Sequence, residues 1–366
     1  MEFSIHQQIL TTVFITAVVM GAVAGKTNFC TMGAVSDWVN IGDTGRLRAW
    51  MLAIAVAMMG VAVLEYTGKL SIGNDTFPPY RTPGFAWLRY VLGGMMFGAG
   101  MTLASGCGNK TLVRIGAGNL KSLVVLAIAS VCAYAMLWTD FYGVVFHRWI
   151  SVATLNLGTS GMTSQALGDL TGLGNPLLGA LLSLAVGVFC FASREFRHSV
   201  DNILGGVVTG LTVVIGWILS GGAMGLAWKE WADFADVRPL RVETQSLTFV
   251  SPMGDFVRYL TQPTDFSRIT FGIVALFGVI AGSFLYALAT RGLRLEWFAN
   301  RSDFAHHALG AALMGVGGVL AMGCTVGQGI TGVSTLALGS VLALLAMVSG
   351  SALTMKYQVW RVTRNA

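Results

Sequence analysis

Long stretches without a formal charge constrain this chain more than any other feature. The longest runs from Ala308 to Met355, which is 48 residues without Asp, Glu, Lys or Arg. A membrane-spanning helix needs about 20 mostly apolar residues, so this run can hold two. The other uncharged runs are Phe3–Gly25, Tyr90–Asn109, Leu170–Ser193, Ile203–Trp228 and Ile269–Thr290. A soluble protein could bury one or two such segments, but not this many.

The sequence therefore predicts an all-α integral membrane protein with about nine transmembrane helices. Only 11% of its residues are charged, against about 25% in ordinary soluble domains. We expect one membrane domain, residues 1–366, and a retained first helix, because Met1–His6 lacks the basic residues of a signal peptide. The predicted spans are 9–25, 49–66, 88–106, 121–138, 174–192, 203–222, 270–290, 306–323 and 334–353.

Basic residues in the short loops predict the orientation. If the C-terminus is cytoplasmic, most of the Lys and Arg residues of the short loops lie on the cytoplasmic side, which is the usual bias of membrane proteins. We therefore expect a bacterial inner-membrane protein with a periplasmic N-terminus and a cytoplasmic C-terminus. Basic cytoplasmic loops also account for the net charge of +6, which does not indicate a nucleic-acid partner; the lipid bilayer is the expected surrounding.

An internal repeat appears at an offset of 217 residues. Residues 92–107 read LGGMMFGAGMTLASGC and residues 309–324 read LGAALMGVGGVLAMGC, with eight of sixteen positions identical, including Cys107 and Cys324. The predicted topology gives the two copies opposite directions across the membrane. Inverted repeats are common in transporters, which bind substrate where the repeats meet. We predict repeat A over about 9–138, a connector helix at 174–192 and repeat B over about 203–353.

Polar, glycine-rich breaks follow the two repeated cysteines. Irregular backbone at membrane depth is tolerated only where protein or a cavity shields it. Each break is predicted to start a re-entrant half-helix whose N-terminal amides point to the centre, where they can bind an anion. A third segment, residues 25–33, has similar chemistry around Cys30. The candidate substrate-binding and translocation residues are Cys30, Cys107, Cys324, Gly106, Gly108, Gly323 and Thr325.

The five cysteines do not form a metal-binding or disulfide pattern. None belongs to a C-x-x-C pair, and no spacing suits a zinc site or an iron–sulfur cluster, so neither a metal nor a cofactor is predicted. Cys132 and Cys190 lie in plain apolar runs and are expected to pack as small apolar residues. A packing role for the other three cysteines is the alternative to a role on the pathway.

Several of these segments together resemble the YeeE/YedE family of bacterial membrane proteins. The matching pieces are NFCTMGAVSDW at 28–38, GGMMFGAGMTLASGCGNKTLVRIGAGNLKS at 93–122, and GAALMGVGGVLAMGCTVGQGITG at 310–332. Two shorter pieces, Phe249–Pro252 and Gly282–Phe284, also look similar. The resemblance extends over nearly the whole chain, including the spacing between the motifs.

This resemblance implies two inverted, hourglass-like halves whose loops dip to a narrow centre. It also implies uptake of thiosulfate past cysteine thiols, with Cys30, Cys107 and Cys324 at the matching positions. Another branch of the family is associated with selenium metabolism, so a selenium compound or another sulfur compound is an alternative substrate. Some relatives are linked to a small TusA-like sulfur carrier, which would be a separate cytoplasmic partner here. The chain departs from the family at Asn109–Thr111, where a cation follows the central cysteine.

The residues allow alternative roles for the repeated cysteines and for three nearby cations. Cys107 or Cys324 could instead form a persulfide in a membrane sulfurtransferase, although no His or carboxylate lies near either cysteine in the sequence to act as a base. We therefore predict a transporter and not an enzyme. Lys26, Lys110 and Arg114 could attract or release the anion at the cytoplasmic mouth, or they could act only as positive-inside topology signals.

Overall fold

The structure of the protein is a computed structural model that describes residues 4–73 and 75–365. The remaining positions of the predicted domain 1–366, Met1–Phe3, Asn74 and Ala366, lie outside the described residues. The α-helices in chain order are α1 (Ile5–Thr27), α2 (Thr31–Ile41), α3 (Gly45–Tyr66), α4 (Trp87–Leu103), α5 (Gly108–Gly116), α6 (Leu120–Trp138), α7 (Arg148–Val152), α8 (Leu167–Thr171), α9 (Asn175–Ala192), α10 (Arg194–His198), α11 (Val200–Gly221), α12 (Ala223–Asp233), α13 (Val250–Thr261), α14 (Phe271–Ala289), α15 (Arg301–Leu320) and α16 (Leu338–Asn365).

Short elements of other types complete the described chain. Two π-helices cover Gly143–His147 and Gly327–Gly332, and the second is called the central π-helix below. Two 3₁₀-helices cover Leu157–Ser160 and Phe266–Arg268. The strands β1 (Thr76–Phe77) and β4 (Thr244–Gln245) pair in parallel, whereas β2 (Gly84–Phe85) and β3 (Leu155–Asn156) pair antiparallel.

The first helix shows how local sequence sets an element's ends. Ser4 and Gln7 form a reciprocal capping box, in which the Gln7 amide donates to Ser4 Oγ at 3.3 Å and the Ser4 amide donates to Gln7 Oε1 at 3.2 Å. At the other end Asn28 adopts a left-handed conformation with φ of 53°. Asn tolerates this conformation better than most residues, so it ends α1 and lets the chain turn into α2.

Eight segments of the described chain are long and apolar enough to cross a membrane, which confirms the prediction of an all-α integral membrane protein. Each of the nine predicted spans falls on one of the nine described helices of 17 or more residues. The ninth, α15, does not reach the hydropathy of the others because Asp303, His306 and His307 occupy its first two turns. Since α15 lies along α4, which is one of the eight, we infer that it crosses the same layer.

Helices α4 and α15 carry the two copies of the repeat, and they pack against each other in opposite directions. A Cβ atom on Gly93 would lie 2.7 Å from the carbonyl oxygen of Gly317, and one on Gly310 would lie 2.7 Å from that of Gly100. At the offset of 217, Gly93 matches Gly310 and Gly100 matches Gly317. Gly93 therefore contacts the counterpart of Gly100, and Gly100 contacts the counterpart of Gly93. Two segments that are related by a twofold axis exchange contacts in this way.

The turn after each of these helices is also the same in both halves. Ser105 and Met322, which match at the offset of 217, both have positive φ, at 57° and 64°. The amide of the following residue then bonds to a carbonyl five residues back, at 2.9 Å from Gly106 and 2.8 Å from Gly323. This is the Schellman arrangement that ends a helix. It places Cys107 and Cys324 at equivalent points, directly after the turn.

The surrounding helices repeat the exchange of contacts. The contact between α1 and α14 corresponds to the contact between α11 and α3 in the other half. In the same way, the contact between α4 and α16 corresponds to the contact between α15 and α6. Helix α9 makes its main contact with α3 and lies at the periphery, as a connector would. These contacts support the proposed repeats at about 9–138 and 203–353, with 174–192 between them.

Candidate functional site

Four short helices have their first residues buried in the interior of the fold, whereas the sequence predicts three such helix starts. Cys30 is the N-cap of α2, Cys107 is the N-cap of α5, and Cys324 precedes the central π-helix. The fourth is α13, which starts after Phe249 and was not predicted. Its one sequence signal is Pro252, which is tolerated in the first turn of a helix because the amide there needs no partner.

The thiols of Cys30 and Cys107 lie next to each other. Both residues are buried, with 5% and 1% of their surface exposed. The sulfur of Cys30 accepts a hydrogen bond from the amide of Gly33 at 3.4 Å, in the manner of a helix N-cap. The sulfur of Cys107 contacts the amide of Thr31 in the first turn of the same helix. Two thiols are thus held at the N-terminus of α2.

Cys324 reaches the same point from the second half of the chain. A Cβ atom on Gly108 would lie 4.0 Å from Cys324 Cβ, and the Thr325 hydroxyl lies close to the Cys107 thiol without forming a hydrogen bond. The sulfur of Cys324 accepts a hydrogen bond from the amide of Gly327 at 3.4 Å and contacts the amide of Phe249. Cys324 is fully buried. The structure therefore brings all three predicted cysteines, together with Gly108 and Thr325, into one cluster, called the thiol cluster below.

The two remaining predicted glycines make room for side chains beside this cluster. A Cβ atom on Gly106 would lie 3.4 Å from Cβ and Cγ of Lys110, and one on Gly323 would lie 3.2 Å from Cγ of Gln328. The stem of Lys110 therefore passes over Gly106, and that of Gln328 passes over Gly323. The amide group of Gln328 donates to the Ala321 carbonyl at 2.8 Å. Both glycines shape the site without offering a side chain of their own.

Buried polar atoms without a hydrogen-bond partner gather around the same breaks. In the part of the chain that the structure describes, these side chains are Trp50, Asn109, Trp217, Thr248, Thr325 and Gln328. Three of them belong to the break segments, and Thr248 and Trp50 lie against Gly327 and Gly329 of the central π-helix. A buried unpartnered polar group costs about 1–3 kcal/mol. Such a group is expected where water or a ligand supplies the partner.

The segment that contains Tyr80 and Arg81 lies against the central π-helix and the residues that follow it. The Tyr80 hydroxyl donates to the Gly327 carbonyl at 2.7 Å, and Arg81 Nε donates to the Thr335 carbonyl at 2.8 Å. The Arg81 guanidinium also forms an ion pair with Glu65 at 2.5 Å, and both side chains are nearly buried. No sequence motif indicates this pair. A single carboxylate near the end of an apolar helix is the only signal, because such a group needs a partner.

Beside the thiol cluster, a cavity of about 470 Å³ opens between α1, α5 and α14. It is called the cationic cavity here, because Lys110, Arg114 and Arg294 line it together with Asn28. The Lys110 ammonium donates to Asn28 Oδ1 at 2.9 Å, and Arg114 donates to the Ser105 carbonyl at 2.7 Å. Lys110 follows Cys107 by one helical turn, so the cavity begins where the thiol cluster ends.

The chain is similar to known transport proteins over most of its length. The profile of the family described as sulphur transport matches residues 26–353. A thiosulfate transporter, TsuA of Escherichia coli (strain K12), is 26% identical over 356 residues, which cover 92% of this chain and 91% of the relative. TsuA of Spirochaeta thermophila, also a thiosulfate transporter, is 24% identical over 345 residues, which cover 90% of this chain and 93% of the relative.

Proposed function

Because the chain belongs to the sulphur-transport family, we propose that it imports a small sulfur-containing anion, thiosulfate, across the bacterial inner membrane. The relatives named above are thiosulfate transporters, and they match this chain over nearly its whole length. The observation that carries the proposal is the thiol cluster. Three thiols from two oppositely directed halves meet at a buried point, with unpartnered polar atoms and a cationic cavity beside it.

The thiol cluster offers neutral groups that suit this anion. Thiosulfate is a dianion with a large, polarisable terminal sulfur, and removing it from water is costly unless polar groups replace the water. Since amides occupy acceptor positions on the sulfurs of Cys30 and Cys324, their S–H groups remain available as donors. The Thr325 hydroxyl adds a stronger donor. A compact, soft thiol can also contact the terminal sulfur closely at a narrow point.

Helix N-termini add positive potential without placing a full charge at the centre. Three short α-helices, α2, α5 and α13, begin around the cluster. Each N-terminus is equivalent to roughly +0.5 elementary charge, so three together approach +1.5 against the −2 of the anion. A fixed Lys or Arg at the same depth would be expensive to bury and would hold the anion too firmly for rapid release.

The proposed route runs from the central π-helix through the thiol cluster to the cationic cavity. With the N-terminus periplasmic and the C-terminus cytoplasmic, the segment around Tyr80 faces the periplasm and the cationic cavity opens to the cytoplasm. The anion passes Cys324 first, then Cys107 and Cys30, and leaves beside Lys110. A separate cytoplasmic TusA-like sulfur carrier is the proposed recipient of the imported sulfur, and such consumption would keep uptake moving in one direction.

Uptake by purified protein in liposomes tests the proposal directly. Thiosulfate labelled at both sulfur atoms should appear inside with the two labels in equal amounts, because a transporter moves the ion intact. If only one label enters or stays on the protein, the chain is a sulfurtransferase that uses a cysteine persulfide. Sulfite and selenium oxyanions, added as competitors of labelled thiosulfate uptake, identify the preferred substrate. If a selenium compound inhibits this uptake more strongly than unlabelled thiosulfate does, that selenium compound is the preferred substrate. Uptake no faster than in empty liposomes would refute transport.

A further inference from the structure

Lys110 and Arg114 are half-buried cations that face no carboxylate within 4.0 Å among the described residues. Six other buried or half-buried cations pair with a carboxylate within 4.0 Å, and these pairs are Arg46–Asp37, Arg81–Glu65, Lys121–Asp303, Lys229–Asp75, Arg241–Asp255 and Arg268–Asp265. Arg48, Arg89 and Arg258 also lack such a pair in the described part of the chain, but none of them lines the cationic cavity. Neither Lys110 nor Arg114 has such a pair among the described residues. Their hydrogen bonds go to neutral oxygens, those of Asn28 and Ser105. Their positive charge therefore remains uncompensated by the protein.

The lining of the cationic cavity adds no acidic group. It contains three basic side chains and no Asp or Glu. The polar remainder includes the amide group of Asn28 and the hydroxyl group of Tyr286. The hydroxyl groups of Ser283 and Thr290 already donate to backbone carbonyls. A volume of about 470 Å³ exceeds what one small inorganic anion needs, so a bound anion can keep part of its hydration shell. Partial hydration lowers the cost of binding a dianion.

The two cations point along one face of α5. Residues 107, 110 and 114 are spaced by three and four, so they lie above one another on the helix surface. With a rise of about 1.5 Å per residue, Lys110 lies roughly 4.5 Å and Arg114 roughly 10.5 Å beyond Cys107 along the helix axis. The Arg114 guanidinium folds back toward the start of α5, where it donates to the Ser105 carbonyl and would lie 3.9 Å from a Cβ atom on Gly106. The stem of Lys110 passes over the same glycine, so the two cations lie beside each other at the mouth of the cavity.

The second half of the chain has no equivalent of this cation pair. At the offset of 217, Lys110 matches Gly327 and Arg114 matches Thr331, whose hydroxyl donates to the Leu247 carbonyl. Packing of the repeat therefore does not require cations at these positions. The two charges belong to one end of the pathway only, and this asymmetry favours a role in handling anions at that end.

We propose that the cationic cavity is a second anion site, separate from the thiol cluster, which binds divalent sulfur oxyanions through Lys110 and Arg114. The arrival of a sulfur oxyanion at this site rests on the proposed function, whereas the binding of an anion there does not. The site selects by charge, since an ammonium group and a guanidinium group hold a tetrahedral dianion far better than a monovalent ion. It accepts sulfate as well as thiosulfate, because no thiol takes part. Sulfate from the cytoplasm therefore competes with arriving thiosulfate and slows its release.

Binding of sulfate to the purified full-length protein in nanodiscs is the test, by calorimetry at constant ionic strength with chloride as the balancing ion. The wild-type protein and a Cys107→Ala/Cys324→Ala variant should bind sulfate equally. Lys110→Gln/Arg114→Gln should bind it about tenfold or more weakly, because each charge-assisted hydrogen bond contributes strongly to affinity. Lys356→Gln, which removes an exposed charge far along α16, is the matched control and should bind as the wild type does.

Absence of sulfate binding by the wild-type protein, or equal binding by the cation variant, would overturn the proposal. A measurement that needs no variant supports the same decision: sulfate loaded inside wild-type liposomes should slow thiosulfate uptake, whereas chloride loaded at equal ionic strength should not. If sulfate binds as expected but thiosulfate is not transported, the proposed function fails and the anion site stands. If thiosulfate is transported and neither sulfate effect appears, the proposed anion site fails and the proposed function stands.

Discussion

Cys107 contacts the hydroxyl group of Thr325, a residue 218 positions later in the chain. Cys107 belongs to the first half, and Thr325 directly follows the matching cysteine of the second half. Their contact crosses the axis that relates α4 to α15. The thiol cluster is therefore built from both halves, so a small shift of one half against the other would change its geometry. Inverted-repeat transporters use such relative movement for alternating access.

The role of the thiols is tested by substitution at Cys107. If a thiol acts as a neutral donor, Cys107→Ser should retain part of the uptake rate, because a hydroxyl still donates but is shorter and harder. Cys107→Ala removes the donor and should reduce uptake about tenfold or more, since an unpartnered group at a buried site is costly. Cys324→Ser and Cys324→Ala should behave similarly. Initial rates of thiosulfate uptake into liposomes provide the measurement.

Matched controls come from the cysteines that lie in plain helices. Cys132→Ala, on α6, and Cys190→Ala, on α9, should transport at close to the wild-type rate. Wild-type rates for both Cys107→Ala and Cys324→Ala, at equal protein levels, would show that these cysteines only pack. Equal and complete loss in the Ser and Ala variants would instead favour a nucleophilic cysteine.

Close packing of the two halves is tested at Gly317. In Gly317→Ala the new Cβ would lie 2.7 Å from the Phe97 amide nitrogen and 2.8 Å from the Gly93 carbonyl oxygen. Neither backbone atom can move without separating α4 from α15, so we expect a destabilisation of about 1–3 kcal/mol. Thermal unfolding of the purified protein in detergent should show a lower melting temperature. The control, Gly187→Ala, meets no atom within 4 Å and should melt no earlier than the wild type.

The ion pair between Arg81 and Glu65 is expected to hold the segment around Tyr80 in place. Arg81→Gln leaves a nearly buried carboxylate without its cation, which should cost about 3–5 kcal/mol. The double variant Glu65→Gln/Arg81→Gln removes the unpaired charge and should recover much of that loss. Asp233→Asn, in an exposed pair with Arg238, serves as the comparison and should cost less than about 1 kcal/mol. Equal melting temperatures for Arg81→Gln and Asp233→Asn would contradict a structural role for the buried pair.

The orientation is tested with reporter fusions. Fusions after Thr44, between α2 and α3, and at the C-terminus should be active only as cytoplasmic reporters, because the basic short loops lie on those sides. Fusions in the loops at Asp75 and Asp233 should be active only as periplasmic reporters. A periplasmic C-terminus would reverse the direction of the proposed route and place the cationic cavity on the wrong side for release into the cell.

Much of the architecture follows from the sequence for a simple reason. Lipid offers no hydrogen-bond partner to the backbone, so an apolar run of sufficient length must be helical. This rule predicts all nine long helices, although α15 departs in composition because its first turns carry Asp303, His306 and His307. The repeated cysteines, Cys107 and Cys324, were recognisable for a different reason: cysteine is rare, and a match at a fixed offset stands out among common glycines.

The breaks could be predicted only in part. Glycine and polar residues at membrane depth indicate the starts of α2 and α5, but the start of α13 after Phe249 has no cysteine and does not directly follow a predicted span. Similarly, the helix after Cys324 is a π-helix, because its backbone is shaped by neighbours such as Thr248 and Trp50. Those neighbours come from distant parts of the chain, and local propensity contains no information about them.

The sequence by itself determined the class of protein and the number of long helices, and it predicted the three cysteines that the structure brings together. Those properties depend on composition and on short-range pattern. Only the tertiary structure decided which polar groups share one site: the contact of Cys30 with Cys107, the unpartnered atoms around the central π-helix, and the two cations facing a cavity without a carboxylate. Such groups meet through the packing of helices that are far apart in sequence, and the strength of their interaction depends on distance and burial, which helix packing sets.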